Sequence, residues 1–498
     1  MSKSVAVIGS GFAGLSAASY LAQAGFDVHV FEKNSKPGGR ARSFTAEGFS
    51  FDMGPSWYWM PDVFEKYFAD FGKTPSDYYD LKRLSPSYRV FFEEDDVWDI
   101  PSKLSELYEL FDSVEPGAGK ELKAFLKDAA YKYDVGMNRL VYKPSESLLE
   151  FVEKDIIVDS LKLQLFTSIS SLIRKHFKNP KLHQLLEFPV LFLGAKPQNT
   201  PALYSLMNYA DMELGTWYPD GGMVKIADGM YDLAKNLGVK FHFNAPIESI
   251  IAVGSEVIGV RVENHLHHVD FVVGGADYHH IEAELLQPEY RNYTNKYWNS
   301  RTMAPSSLLF YLGVNKKVDN LLHHNLFFDT DFEKHAKEIY DLPEWPSEPL
   351  FYVCAPSKTD DHVAPEGCEN LFVLMPIAPD LKDNDVLRQK YYHIIMDRLE
   401  KFTQTNIRDH VVYKKSFAVS DFKSEYNSFK GNAYGLANTL KQTAFLKPKM
   451  RNKKLSNLFY TGQLTTPGPG VPPSLISGKV VAELIQKQVK KHAHESTI

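Results

Sequence analysis

Ser4-Val5-Ala6-Val7-Ile8-Gly9-Ser10-Gly11-Phe12-Ala13-Gly14 opens the chain, and a helical stretch leads from it to Val28-His29-Val30-Phe31-Glu32. The pattern reads as a buried strand, a glycine turn, a helix and a second strand ending in an acid. Gly9 permits the tight turn, Gly11 lets a pyrophosphate approach the backbone, and Gly14 lets the helix pack close to the strand. The helix start, with Phe12 and Ala13, offers unpaired N–H groups and the positive end of the helix dipole to phosphate. Glu32 lies about 20 residues downstream, where ribose hydroxyls need an acceptor, and Lys33 follows it. Together these features predict a dinucleotide-binding unit.

The next segment, Lys36-Pro37-Gly38-Gly39-Arg40-Ala41-Arg42-Ser43, narrows the choice of dinucleotide. A glycine pair beside arginines gives a second close backbone approach to phosphate, with guanidinium donors next to it. An NAD site has no need of this, whereas FAD, with its extended ribityl chain, can use it. Gly39 and Arg40 therefore join the candidate cofactor residues.

With 498 residues the chain is long enough for two or more domains and a large core. The net charge of −6 gives no global basic field, so nucleic acid is not an expected partner. Cys354 and Cys368 match neither a redox pair nor a zinc knuckle, and they suit a reducing cytosol. No metal site is read from the sequence. No run of eighteen apolar residues exists and no signal peptide is read, so the expectation is a cytoplasmic protein without a membrane-spanning helix. Aromatics are abundant, with 33 Phe and 27 Tyr, a surplus compatible with a long apolar substrate tunnel.

The expected fold class is α/β. A discontinuous Rossmann-like FAD-binding domain takes residues 1–85, 219–290 and 445–498. The middle block holds a short strand at Lys240-Phe241-His242-Phe243 and an alternating hairpin, Val257–Val262 against His268–Val273. The last block holds a strand at Leu458-Phe459-Tyr460 and a final helix whose tail, Lys487 to Ile498, reads as fraying. Between the blocks, residues 86–218 read as a mostly helical, membrane-suited insertion, on the spacing of Leu104, Leu107, Leu110 and Phe111 and of Leu148, Leu149, Phe151 and Val152. Residues 291–444 read as an α+β substrate domain, with strands at Ser307–Leu312 and Leu371–Leu374 and a helix near 385–403.

The chain resembles the bacterial-type phytoene desaturases, flavoproteins of carotenoid synthesis, over nearly its whole length. The resemblance rests on Phe51-Asp52-Met53-Gly54-Pro55, on Trp217-Tyr218-Pro219-Asp220-Gly221-Gly222-Met223, and on Thr359-Asp360 with Ala364–Cys368. Its longest segment is Asn457-Leu458-Phe459-Tyr460-Thr461-Gly462 with Pro467-Gly468-Pro469-Gly470-Val471-Pro472. It implies FAD as cofactor, with Gly462 near the ribityl-phosphate region and Ile247 against the adenine. A helix starting near Pro472 or Pro473 would face the flavin ring, with Val471 beside it among the cofactor residues and Ser474, Leu475 and Ile476 carrying unpaired N–H groups. The implied reaction removes two hydrogens from a CH2–CH2 unit of a C40 carotenoid, with oxygen or a quinone as the final electron acceptor.

The chain also departs from the family pattern. Thr466 stands where many relatives have histidine, Gln463-Leu464 replaces small residues, and Pro469 replaces alanine. Asn179 and His183, ahead of Gly194-Ala195-Lys196-Pro197, stand where relatives carry an acid and an arginine. The substrate is therefore either a phytoene-type acyclic carotene or a hydroxylated carotenoid desaturated at the 3,4-position later in the pathway. A carotenoid isomerase, another flavin oxidase of the same fold and a prenyl-binding regulator without enzymatic activity are the rival readings.

His183 is the candidate catalytic base, because imidazole titrates near neutrality. Asp52 and Glu213 are carboxylates better suited to capping or turns. Trp57, Tyr58 and Trp59 are candidates to line the substrate tunnel. An insoluble substrate implies peripheral contact with a membrane surface. Leu161–Lys178 mixes apolar residues with a basic cluster, which suits an interfacial helix or, alternatively, a packing helix with a solvated basic end.

Overall fold

A computed structural model of the chain describes residues 2–147, 150, 163–191, 194–439 and 442–495. The expected helix at Leu148, Leu149, Phe151 and Val152 lies mostly outside the described residues, as do Leu161 and Lys162.

The nucleotide-type unit is a five-stranded parallel sheet. Its strands are β1 (Ser4–Ile8), β2 (Asp27–Phe31), β3 (Lys240–His242), β4 (Phe271–Gly274) and β5 (Leu458–Tyr460). Their spatial order is β5-β4-β1-β2-β3. β1 and β4 sit at the centre, and their near-continuous apolar runs are buried because helices or further layers cover both faces. Phe271–Gly274 was expected to close a hairpin with Val257–Val262. Instead Glu256–Val262 pairs with His265–His268, and β4 returns to the parallel sheet beside β1 and β5. The reason is composition: Phe-Val-Val-Gly has no polar residue to turn outward, while the His265–His268 run does.

Helix α1 (Phe12–Gln23) leads out of the glycine turn, and helix α2 (Val471–Glu495) packs along it. Close approach is possible at Gly478, where a Cβ would lie 2.5 Å from the Ala13 carbonyl. The Ser16 hydroxyl ties the pair by donating to the Leu475 carbonyl at 2.7 Å. The expected fraying beyond Lys487 is not seen in the described residues, because α2 continues to Glu495.

The second sheet has seven strands. Their order is Val411–Phe417, Ser306–Val314, Glu369–Ile377, Phe351–Cys354, His324–Phe327, Tyr88–Glu93 and Asp96–Ile100. The last two lie within the stretch read as mostly helical. They are strands because Tyr88, Val90 and Phe92 alternate with other residues along an extended run that pairs with its neighbours. Alternation also divides the two central strands between layers. Leu308, Phe310, Val373 and Met375 pack on the helix Asp385–Thr403, while Leu309, Tyr311, Phe372 and Leu374 face the other way. That second face roofs the cavity described next.

Candidate functional site

One large cavity runs between the two sheets, with an empty volume of about 2360 Å³ including its open mouth. Gly9, Gly11, Phe12, Ala13, Glu32, Lys33, Gly39, Arg40, Ile247, Gly462, Val471, Pro472 and Ser474 all line it. These residues come from segments more than 400 positions apart and converge because β1, β2 and β5 share one sheet and α2 lies on α1.

The glycines differ in what they do. Gly9 has φ +92°, which only glycine adopts readily, and its N–H donates to the Phe31 carbonyl at 2.8 Å. A Cβ on Gly14 would lie 2.0 Å from the Gly9 carbonyl oxygen, so Gly14 sets the helix against the turn and does not line the cavity. A Cβ on Gly11 would meet nothing among the described residues within 4 Å and would project into open space. Gly39 comes close to Gly11, with 3.2 Å between its ideal Cβ and the Gly11 Cα. The two glycine turns thus touch and leave bare backbone on one side of the cavity.

Electrostatics identify what this bare backbone is built to receive. Arg40 lines the cavity, with its guanidinium 5.1 Å from the Tyr426 ring centre and Nη2 donating to the Ser428 hydroxyl at 3.3 Å. Its Nε is buried without a hydrogen-bond partner among the described residues. Burial pushes the guanidinium below its ordinary value, and the Asp277 carboxylate opposes that shift. An orphaned buried donor on a cation beside two glycine turns fits a pyrophosphate. Arg42 takes no part in the lining; its Nη2 pairs with Glu425 at 3.0 Å and its Nε donates to the Gly39 carbonyl.

Glu32 is held from four sides. One oxygen accepts from the Ser10 N–H and hydroxyl at 2.9 and 2.7 Å, the other from the Asn34 N–H and side-chain amide at 2.9 and 2.6 Å. It sits at the end of β2, at the place where a ribose would lie. The Lys33 ammonium reaches outward to the Ser424 carbonyl at 3.0 Å.

The start of α2 departs from expectation. Pro472 and Pro473 have no N–H, and the Ser474 N–H already donates to the Gly470 carbonyl at 3.0 Å. Ser474, Leu475 and Ile476 are therefore not the free donors. The Val471 N–H is the donor this turn can offer, together with the positive end of a 25-residue helix.

The opposite wall is apolar and aromatic. Trp57, Trp59, Met60, Leu309, Phe372 and Leu374 lie there. Tyr58 does not. Backbone alternation turns it away, and its hydroxyl meets that of Tyr79 at 3.0 Å in the core. Trp57 stacks on His324 with 4.0 Å between ring centres and a 12° interplanar angle. Burial holds His324 and its neighbour His323 neutral, far below the usual histidine range. Two adjacent histidines gave no sequence signal, because Tyr352, whose hydroxyl lies 2.6 Å from the His324 Nδ1, is 28 residues away.

Trp59 is anchored through a chain of hydrogen bonds. Its Nε1 donates to the Thr216 hydroxyl at 2.8 Å, Thr216 donates to Asp211 at 3.3 Å, and Tyr88 donates to the other Asp211 oxygen at 2.8 Å. Burial pushes the Asp211 carboxyl up to about 7, against the pull of those two hydroxyls. The folded chain keeps this proton while the unfolded chain releases it near its ordinary value of 3.8. Wild-type stability should therefore fall as pH rises through that interval and level off above about 7. Asp211→Asn carries no such charge, so its melting temperature relative to wild type should rise by a few degrees between acid and neutral pH. Calorimetry across that range checks it, and a pH-independent difference would contradict the assignment.

Among the described residues, the carboxylate, ammonium, guanidinium and imidazole groups that line the cavity gather at the nucleotide end. They are Glu32, Lys33, Arg40, Asp277, His280 and Glu425. His183 is not among the lining residues; its Nε2 donates to the Phe177 carbonyl at 2.8 Å, a local contact where a helix begins. The structure therefore does not bring the candidate base His183 to the cavity. Asp52 serves as a cap, accepting from the Met223 and Val224 N–H groups at 2.7 and 3.1 Å, and burial pushes its carboxyl up to about 7. Glu213 is exposed at the surface.

The stretch read either as an interfacial or as a packing helix is described from Leu163 onward. Ile169–His176 is a helix whose apolar residues Ile169, Leu172 and Ile173 are buried in the main core. Its basic end is paired, Arg174 with Glu187 and the His176 Nδ1 with Glu121 at 2.8 Å. Among the described residues no helix is long and apolar enough to cross a membrane.

Residues 12–486 match the family described as flavin containing amine oxidoreductase. The chain is 45% identical over 486 residues to a carotenoid 3,4-desaturase of Haloarcula japonica, covering 97% of this chain and 98% of that one. It is 31% identical to a zeta-carotene-forming phytoene desaturase of Myxococcus xanthus, covering 96% and 93%. Among solved structures, an oxidoreductase of Methanosarcina mazei shares the fold with a TM-score of 0.64 at 15% identity, covering 96% of this chain and all of that one. A cavity with two glycine turns, an orphaned cation and a helix end on one side, and aromatic rings on the other, thus belongs to a chain of the flavin-containing amine oxidoreductase family, in its group of carotenoid desaturases, with FAD as cofactor.

Proposed function

We propose that this chain is a carotenoid 3,4-desaturase acting on a hydroxylated acyclic C40 carotenoid. The carrying observation is the division of the cavity: every carboxylate, ammonium, guanidinium and imidazole in its lining lies at the nucleotide end, leaving an aromatic and aliphatic wall for the rest. Such a wall suits a polyene and gives an amine no counter-charge. The 45% identity to a 3,4-desaturase over almost the whole chain supports the regiochemistry.

FAD supplies the hydride-accepting chemistry. The chain's residues bind and orient. Gly9, Gly11, Gly39, Arg40 and Glu32 would hold the dinucleotide, Ile247 the adenine, and Gly462, Val471, Pro472 and Ser474 the flavin end. Trp57 and Trp59, each fixed from behind, would set the polyene's plane and exclude water from it. The wall carries phenol hydroxyls but no carboxylate or imidazole, so its role is positioning.

The electrons leave to oxygen or a quinone. The substrate is drawn from a bilayer with the protein bound at the membrane surface from the cytoplasmic side. Phe166, 90% exposed, supports that contact, since burying one such ring against lipid contributes about 2 kcal/mol. Phe166→Ser should weaken flotation with liposomes severalfold while leaving the melting temperature unchanged, and undiminished flotation would remove this residue from the membrane contact.

The test of the whole reading is turnover by purified holoprotein. Liposomes carrying an acyclic hydroxycarotenoid should yield a product lighter by two hydrogens, with its absorbance shifted to longer wavelength. A product of unchanged mass would make the protein an isomerase, and no product from hydroxylated or plain acyclic carotenoids would defeat the proposal.

A further inference from the structure

A second cavity adjoins the first and shares Tyr352, Leu374 and Tyr434 with it as a common wall. Its empty volume is about 690 Å³, and Phe188, Pro305, Leu326, Phe328, Phe332 and Ile339 give it an almost wholly apolar surface. The one histidine in that lining, His335, has both ring nitrogens engaged: Nε2 donates to the Pro376 carbonyl at 2.9 Å and Nδ1 accepts from the Leu350 N–H at 2.9 Å. The Tyr352 hydroxyl is also taken, by Ser56 at 3.1 Å and His324 at 2.6 Å.

Tyr340 is different. It ends the helix Phe332–Tyr340 and lines this second cavity, yet its hydroxyl oxygen is buried and has no hydrogen-bond partner among the described residues. A phenylalanine would fill the same space without leaving a polar group unsatisfied. A buried, unpaired hydroxyl has a substantial free-energy cost, so its presence in an apolar chamber calls for a partner that arrives with the ligand. Burial and the nearby Tyr434 push the Tyr340 phenol well above its ordinary value, which keeps it a neutral donor and acceptor. A charged or strongly polar partner is excluded by the rest of the lining. A single alcohol at the end of a hydrocarbon chain fits both the apolar wall and the lone hydroxyl.

We infer that the second cavity receives the hydroxyl-bearing end of the isoprenoid substrate and that Tyr340 is the residue that distinguishes it from an unhydroxylated end. This rests on the carotenoid reading of the first cavity and adds the group by which the substrate is selected. The preference follows from hydrogen bonding: a substrate hydroxyl satisfies a group that is otherwise bare, and the analogue without one gains nothing there.

The experiment compares wild type with Tyr340→Phe on two substrates, an acyclic hydroxycarotenoid and its parent hydrocarbon of equal length. Both kcat/KM and binding, read as quenching of tryptophan fluorescence, are measured on the holoprotein. Wild type should favour the hydroxylated compound. Tyr340→Phe should lower kcat/KM and affinity for it by roughly 5- to 100-fold. It should leave the hydrocarbon unaffected and the melting temperature equal or higher. Equal behaviour of the two proteins on the hydroxylated compound would overturn the inference while leaving the desaturase reading intact. A wild type that prefers the hydrocarbon would do the same. Turnover of neither compound would defeat the desaturase reading, and the binding comparison would still decide the role of Tyr340.

Discussion

Gly14→Ala should give a protein that neither holds FAD nor folds stably, whereas Gly11→Ala should fold and fail only to hold FAD. The two substitutions add the same methyl group three residues apart. At Gly14 it would lie 2.0 Å from the Gly9 carbonyl oxygen and 3.1 Å from its carbon, both backbone atoms of a turn already at positive φ. Nothing in that contact is a flexible side-chain end, so β1, the turn and α1 must separate. Overpacking of this kind costs about 3 kcal/mol or more. At Gly11 the methyl meets no atom of the described residues within 4 Å and enters the space offered to the pyrophosphate. Melting curves and flavin absorbance of the purified variants separate the cases. Gly11→Ala should keep a cooperative transition and lose roughly 100-fold in FAD affinity, the equivalent of about 3 kcal/mol. Bound flavin at the wild-type level in both would show that the cofactor lies elsewhere.

Arg40→Met should weaken FAD binding by a comparable factor through a different cause. The guanidinium is the cation beside the glycine turns, and its buried Nε has no partner among the described residues. A charge-assisted hydrogen bond to phosphate contributes about 1.5–3 kcal/mol, or roughly 10- to 150-fold in affinity. Methionine matches much of the apolar stem and supplies neither charge nor donor. Arg40→Lys should recover part of the loss, because an ammonium keeps the charge but not the planar fork. Titration of apoprotein with FAD measures all three, and equal affinities would remove Arg40 from the phosphate site.

The residues legible in sequence are those whose partners are local. The strand, turn and helix from Ser4 to Gln23 lie in one short segment, so the spacing of Gly9, Gly11 and Gly14 carries their geometry with it. Glu32 was equally readable, because β2 must run beside β1. The residues that escaped are those whose meaning comes from afar. Asp211 receives its hydrogen bond from Tyr88, 123 positions away, and Trp59 reaches Thr216 across 157 positions. His183 attracted notice as a solitary imidazole, yet its surroundings are set by the chain just before its own helix. Two misreadings were avoidable on local grounds. Trp57, Tyr58 and Trp59 cannot all face one cavity along an extended backbone, and Pro472 and Pro473 announce a helix start that is short of donors.

The strand order has a consequence for how the protein is made. β5 lies beside β4 at one end of a sheet whose core was synthesised more than 180 residues earlier, and α2 closes over α1 from the last segment of the chain. A nascent polypeptide still on the ribosome has Gly9 to Gly14 in place but lacks Gly462 and Val471, so it presents an open half-cradle. Flavin capture therefore follows synthesis of β5 and α2, and colour in a cell extract reports polypeptides translated through α2.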